Sequence, residues 1–417
     1  CELFLVYVAS LKIMNLSFSY NYFTIFGTRI VEVFSQSDVS SHIMTTQQPR
    51  HIIILTIAIF FAFATKTFGQ RVTINSGVDT TDQDIKAVTT LWANYLKSNP
   101  NKDNIKDSPF WADTEKKKFP KVDQLLNAIN SDYPTYSMGN PTILYVKPKN
   151  DFFEIKTLFS WADSLESVYV LCITSVFAKK ENEQYKLYNA LTVNSNNWKT
   201  EKLGNVTFHF PYSHTFDKNE ANKLLQSIDD LTKQWNLQTI PIDYYFADTY
   251  EKVLHLRGLD YSIVMGNKDK PSGMSDLDTK TVFAGGLGEN YFHEVVHIYL
   301  NNLFPKSPLV EGLAVFYGGS MGHDLKWHLT RLNDYLNQHA EINLNDFEKF
   351  WYMDNFTNPN STIQGLLCYI AFKNGGLNKL KKLMSHEDIY TAIEKEFGIK
   401  KDGLNEYLRQ QINANKN

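Results

Sequence analysis

His293-Glu294-Val295-Val296-His297 sets two imidazoles four residues apart with a carboxylate between them, and Glu311 follows fourteen residues beyond the second histidine. Few short patterns restrict a fold as tightly. Residues four apart on an α-helix share one face, so both histidines can reach one metal ion while Glu294 points beside them toward the attacking water. A catalytic zinc held in this way takes its third protein ligand from outside that turn and keeps a fourth position open. Glu311 is the candidate third ligand, which requires the chain to return to the first helix within those fourteen residues.

Local sequence supports that return. Phe292, Val295, Val296, Tyr299, Leu300 and Leu303 recur at three- and four-residue intervals, Glu289 and Asn290 suit a helix start, and Pro305 bars continuation. Ser307 is then an expected N-cap with Pro308 at the first helical position, opening a second helix that stops at Gly318-Gly319. At 1.5 Å per residue the path runs roughly 9 Å out from His297 and about 5 Å back to Glu311. An antiparallel helical hairpin therefore brings the Glu311 carboxylate within about a turn of His297. Both histidines fall in an apolar helical stretch, where unpaired polar groups are costly, and this sets them apart from surface histidines on an ordinary amphipathic helix.

The run from about Gly204 to the C-terminus resembles the peptidase MA-like gluzincins, zinc metallopeptidases whose HExxH is followed by a Glu-Gly-Leu-Ala segment, here Glu311-Gly312-Leu313-Ala314. The resemblance implies a zincin-like domain, Zn2+ ligands His293, His297 and Glu311, Glu294 as general base, and hydrolysis of peptide bonds in a peptide or protein substrate. One position departs from the pattern. Many gluzincins carry an acidic residue four after the ligand glutamate, buttressing a zinc histidine, and here that position is Val315. The partner of each histidine must come from elsewhere. The alternative reading is an exported binding or scaffold protein with a non-catalytic zincin-like domain and a ligand-binding N-terminal domain. Glu294 argues against it, because a closed structural zinc site has no use for a general base.

The N-terminal stretch bears on compartment. The sequence opens on Cys1, and Met44 is the better start, leaving residues 1–43 as a non-native leader. From Met44 run a polar segment with Arg50 and His51, the apolar block Ile52–Ala64, and a polar tail ending at Gly69. This is the layout of a cleaved signal peptide over 44–69, with the cut near Gly69/Gln70. The apolar block is shorter than the ~20 residues that span a bilayer, so no stable membrane insertion is expected after cleavage and the mature chain is secreted or periplasmic. A formal net charge of -3 provides no basic surface for nucleic acid. Beyond Cys1, only Cys172 and Cys368 remain, each in an apolar run that suits a buried free thiol.

The mature chain is expected to be α+β, with a domain at 72–203 and another at 204–417. Thr81 is an expected cap for a helix with apolar stripe Ile85, Val88, Leu91, Trp92 and Tyr95, and a shorter helix is expected after Pro120 through Leu125, Leu126 and Ile129. Strands are expected at Phe152–Phe159, Val168–Ala178 and Tyr185–Thr192, a helix-then-meander pattern that resembles the NTF2 (cystatin-like) cone. Limited proteolysis between the two domains should first nick the polar stretch Asn194–Lys202, which would then act as a linker. The second domain should open with a strand at Asn205–Phe210, a helix over Lys218–Trp235 and a strand at Ile242–Phe246 leading to a helix capped by Asp248. Thr281–Ala284 is expected as the edge strand on which an extended peptide would lie. Helices are expected at 325–336, 346–353, 362–373, 376–384, 388–397 and 403–412. Among Tyr317, His323, His328 and Tyr369, Tyr317 is the first candidate for an oxyanion donor because it shares a helix with Glu311.

Overall fold

A change of partner along one long strand organises the first half of the chain. The computed structural model describes residues 71–416, apart from 99, 101–106, 122, 129–134, 166 and 266–269. The expected leader and signal peptide lie outside the described residues. The short β1 (Thr73–Ile74) leads to α1 (Gln83–Lys97) and α2 (Asp113–Lys118), then to the antiparallel series β2 (Asn140–Lys149), β3 (Phe152–Ala162), β4 (Val168–Glu181) and β5 (Gln184–Tyr188). After α3 (Ala190–Asn194) come β6 (Lys199–Leu203), β7 (Val206–Phe210), α4 (Lys218–Trp235), β8 (Ile242–Ala247), α5 (Tyr250–Leu256), β9 (Leu259–Ser262), β10 (Ser272–Asp276) and β11 (Thr281–Gly285). The rest is helical: α6 (Phe292–Leu300), α7 (Val310–Gly318), α8 (Leu325–Gln338), α9 (Pro359–Met384), α10 (Ile389–Phe397) and α11 (Leu404–Asn415). This is a mixed helix-and-sheet architecture, and no described helix is long and apolar enough to cross a membrane.

The first sheet runs β1-β2-β3-β4-β5, with β9 also paired to β4. The C-terminal end of β4 pairs with β5, whereas Cys172, Ile173 and Thr174 take β9 as partner. Alternation along β3 buries Ile155, Thr157 and Phe159 against α1, where Trp92 donates its indole N–H to Thr157 Oγ1 at 2.8 Å. Asn182 and Glu183 both adopt positive φ in the two-residue β4–β5 turn, the backbone that matches strand twist.

The second sheet runs β10-β11-β8-β7-β6, and both faces are buried. Val206, Phe208, Tyr244, Phe246, Val282 and Ala284 face the helical core with α4 and α6, while Tyr245, Phe283 and Ala247 face a smaller core with Val253, Leu256, Leu191 and Phe119. Burial on two faces explains the near-continuous apolar runs of β8 and β11.

Several expectations change. The division at 203/204 falls in the turn between β6 and β7, so Lys199–Leu203 is a paired strand of the second sheet and not a linker. Leu254 and Leu259, which lie beyond that division, pack in the core of the first sheet. β11 lies inside the second sheet, and the edge is β10, whose Ser-Gly-Met-Ser-Asp sequence carries no strand signal. β2 also went unexpected. Asp82, not Thr81, caps α1, and Thr249, not Asp248, caps α5. After Pro120 the described residues form turns held by Asp123, which accepts from the Leu125 and Leu126 amides. The stretch expected as helix 346–353 is a 3-10 segment at Leu344–Lys349, and the two expected helices 362–373 and 376–384 are joined in α9 across a break at Gly375 and Gly376.

Candidate metal centre and cleft

The floor of the site is the α6–α7 hairpin. Tyr244 Oη, buried in the second sheet, accepts the Tyr291 N–H at 2.9 Å and donates to Gly288 O at 3.0 Å, which anchors the start of α6. α6 ends at Leu300 in a 3-10 turn, Asn301–Leu303, ahead of Pro305. Ser307 does not cap α7: its N-cap is Leu309, and Ser307 Oγ accepts the Leu309 N–H at 3.3 Å. The two helices touch where α7 ends, because a Cβ on Gly318 would stand 2.5 Å from His293 N. Only glycine permits that approach.

This hairpin brings together the three side chains expected to share a metal. Glu311 Oε1 lies 3.3 Å from His293 Nε2, Glu311 Oε2 lies 3.3 Å from His297 Nε2, and the two Nε2 atoms are 3.2 Å apart. Zinc bonds of about 2.0–2.1 Å in a tetrahedron separate neighbouring ligand atoms by about 3.3–3.4 Å. The observed separations are of that size, with each ring facing a different oxygen of the Glu311 carboxylate, and one ligand atom from each of the three residues lies within 4.8 Å of the others, so the set could hold a metal ion.

The outer nitrogens are also engaged. His293 Nδ1 donates to Gly319 O at 2.6 Å and His297 Nδ1 donates to Asn301 Oδ1 at 3.1 Å. A carbonyl oxygen can only accept, so Nδ1 of each ring carries a proton, and a ring in its neutral form presents its Nε2 lone pair to the centre. Gly319 adopts φ 68°, and a Cβ there would meet His323 O at 2.0 Å, so the carbonyl that orients His293 depends on a residue without a side chain. These are the partners that the sequence left unassigned. Asn301 was legible in principle, since it stands four residues after His297 on the same helix face.

Charges at the centre are strongly coupled. Burial disfavours charge on both imidazoles, but the Glu311 carboxylate outweighs it, raising His293 and lifting His297 to about 9. Desolvation likewise opposes charge on Glu311, and the two rings hold its carboxyl well below the usual range. Glu294 is buried, which raises its pKa, and it is hydrogen-bonded to Ser275 of β10. A carboxyl with a raised pKa accepts a proton at neutral pH and returns it readily.

Above these residues opens a cavity of about 560 Å³. One wall is α6 and α7, and another is the edge strand β10, which lies against α6 because Gly273 has no side chain: a Cβ there would fall 2.4 Å from the Tyr291 ring and 2.9 Å from Glu294 Cγ. The loop Asp123–Asn127 and Arg257 close the far side, and neither was expected to reach the site.

The four residues singled out as possible donors stand elsewhere. Tyr317 accepts from Trp235 Nε1 at 2.9 Å and donates to Gln234 Oε1 at 2.8 Å. His328 bonds Thr357 and Ser320 O, His323 stacks on Trp327, and Tyr369 packs on Phe316. None lines the cavity. The Tyr352 phenol is raised, first by desolvation and then by the charge of Glu311. Cys172 and Cys368 are buried free thiols, in agreement with the sequence reading. No family model, curated protein or solved structure matches this chain.

Proposed function

We propose that this chain is an exported zinc-dependent metallopeptidase of the gluzincin type, with a zincin-like catalytic part and an NTF2-like N-terminal part. The single observation that carries the reading is the convergence of His293 Nε2, His297 Nε2 and the two oxygens of the Glu311 carboxylate at 3.2–3.3 Å beside the buried Glu294. His293, His297 and Glu311 would hold the ion, which when bound acidifies water and polarises a carbonyl. Glu294 takes the proton of the attacking water and delivers it to the leaving amine, a role favoured by its raised pKa and by the Ser275 hydroxyl that fixes its orientation. Asn301 and the Gly319 carbonyl hold the rings in the ligating tautomer. The free edge of β10 offers main-chain groups to an extended substrate segment along the wall of the cavity.

The test is metal analysis of the purified mature protein together with digestion of a peptide library by the wild type and by Glu294→Gln. One zinc per chain in both, with turnover lowered by about 10²–10⁴-fold or more in the variant, is expected. Full zinc occupancy in His297→Ala, or near-wild-type turnover in Glu294→Gln, sinks the assignment.

A further inference from the structure

Arg257 is a buried cation with no ion-pair partner among the described residues. It is 4% exposed, stacks on Phe283 at 4.3 Å, and lines the cavity beside the metal centre. Nη1 reaches Met274 Sδ at 2.7 Å and Ala128 O at 3.4 Å, Nη2 reaches Gln124 O at 3.4 Å, and Nε has no partner. A guanidinium carries five N–H donors and does not lose its charge in a protein. Two long bonds to carbonyls and one to a thioether leave that charge poorly compensated at a depth where compensation matters most.

The charge of Asp276 acts on Arg257 from nearby, but no carboxylate among the described residues forms an ion pair with it. Asp278 pairs with Lys121, and Asp276 accepts from the Asp278 and Thr279 amides and from Gln124 Nε2. Asn127 presents a buried carboxamide oxygen without a partner, and a half-turn of that amide places its N–H2 group there instead.

The strand between the two sites supplies the geometry. Along β10, Gly273 and Ser275 face Glu294, whereas Met274 and Asp276 face Arg257 and Gln124. A segment laid along the free edge of β10 alternates in the same way, turning one set of side chains to the metal centre and the next to Arg257. We propose that Arg257 and Asn127 form a subsite for a carboxylate of the substrate, on the opposite face of β10 from Glu294, and that the enzyme therefore selects acidic substrates. The subsite rests on the peptidase reading.

The test uses the full mature protein and fluorogenic peptides that are N-acetylated and C-amidated and differ only by Glu or Gln at each position flanking the cut. At one position Glu is expected to exceed Gln by about tenfold or more in kcat/KM, expressed mainly in KM, as for a charge-assisted contact. Arg257→Lys should shrink the ratio, and Asn127→Asp should shrink or invert it by repulsion. The same ratio is expected in the binding of these peptides to Glu294→Gln, read by fluorescence anisotropy. A Gln peptide with a free C-terminus, compared with its amide, shows whether a terminal carboxylate serves as well as a side chain. Equal treatment of Glu and Gln, or a preference untouched by both variants, overturns the subsite. Absence of any cleavage overturns the peptidase reading instead, and the anisotropy ratio then decides the subsite alone.

Discussion

Asn301 shows how one neutral side chain can stand in for a carboxylate. Its Oδ1 fixes the His297 ring without adding charge, so the centre carries one formal negative charge from Glu311 beside that of Glu294. Asn301→Ala should lower zinc affinity by roughly 10–100-fold, the usual effect of removing a partner that orients a ligand, while the fold persists. Competition with a chromogenic chelator measures it, and unchanged affinity would mean that packing alone orients the ring. Protons compete at the same atoms. In metal-free protein His297 stands at about 9 against an ordinary 6.5, so the imidazolium–Glu311 pair stabilises the fold fully below about 6.5 and is lost as pH rises through about 9. Chelated protein should therefore lose thermal stability across that window, and zinc uptake at pH 7.5 should release at least one proton. Calorimetric titration in buffers of different ionisation enthalpy counts it.

At the scale of elements, the α6–α7 hairpin and β10 meet through glycines. Gly318 lets α7 reach His293, and Gly273 lets β10 lie on Tyr291 and Glu294. Gly273→Val forces a side chain into the Tyr291 ring and Glu294 Cγ, an overpacking cost of roughly 1–3 kcal/mol. The expected outcome is stoichiometric zinc with turnover sharply lowered, because β10 and the base are displaced while the ligands are not. Metal content and single-turnover rates check it; wild-type rates would show that β10 can move aside without consequence.

At the scale of the molecule, the two sheets exchange chain. β6 precedes the expected boundary and belongs to the second sheet, while β9 follows it and completes the first. A 204–417 fragment loses β6 and leaves β9, Leu254 and Leu259 without their partners. It should be poorly folded and bind zinc weakly, and restoring 72–203 in the same chain should recover both. Circular dichroism and metal analysis of the fragment decide this, and a cooperative, zinc-replete 204–417 would show that the exchanged strands are dispensable.

The sequence by itself determined what is local. Helical periodicity, Pro305 and the His293, His297 and Glu311 spacing specify a helical hairpin with converging polar groups, since each depends on residues within a few turns of one another. Runs rich in β-branched and aromatic residues marked β3, β4, β7 and β8 for the same reason. Only the tertiary structure decided that Ser272–Asp276 is a strand at all, because its partner β11, and not its own propensity, holds it extended. The same holds for β9 on β4 and for the arrival of Asp123–Asn127 and Arg257 at the cavity. β9 meets β4 across 85–90 residues and Arg257 meets Ala128 and Gln124 across 129 and 133, separations at which no local pattern of side chains encodes the contact.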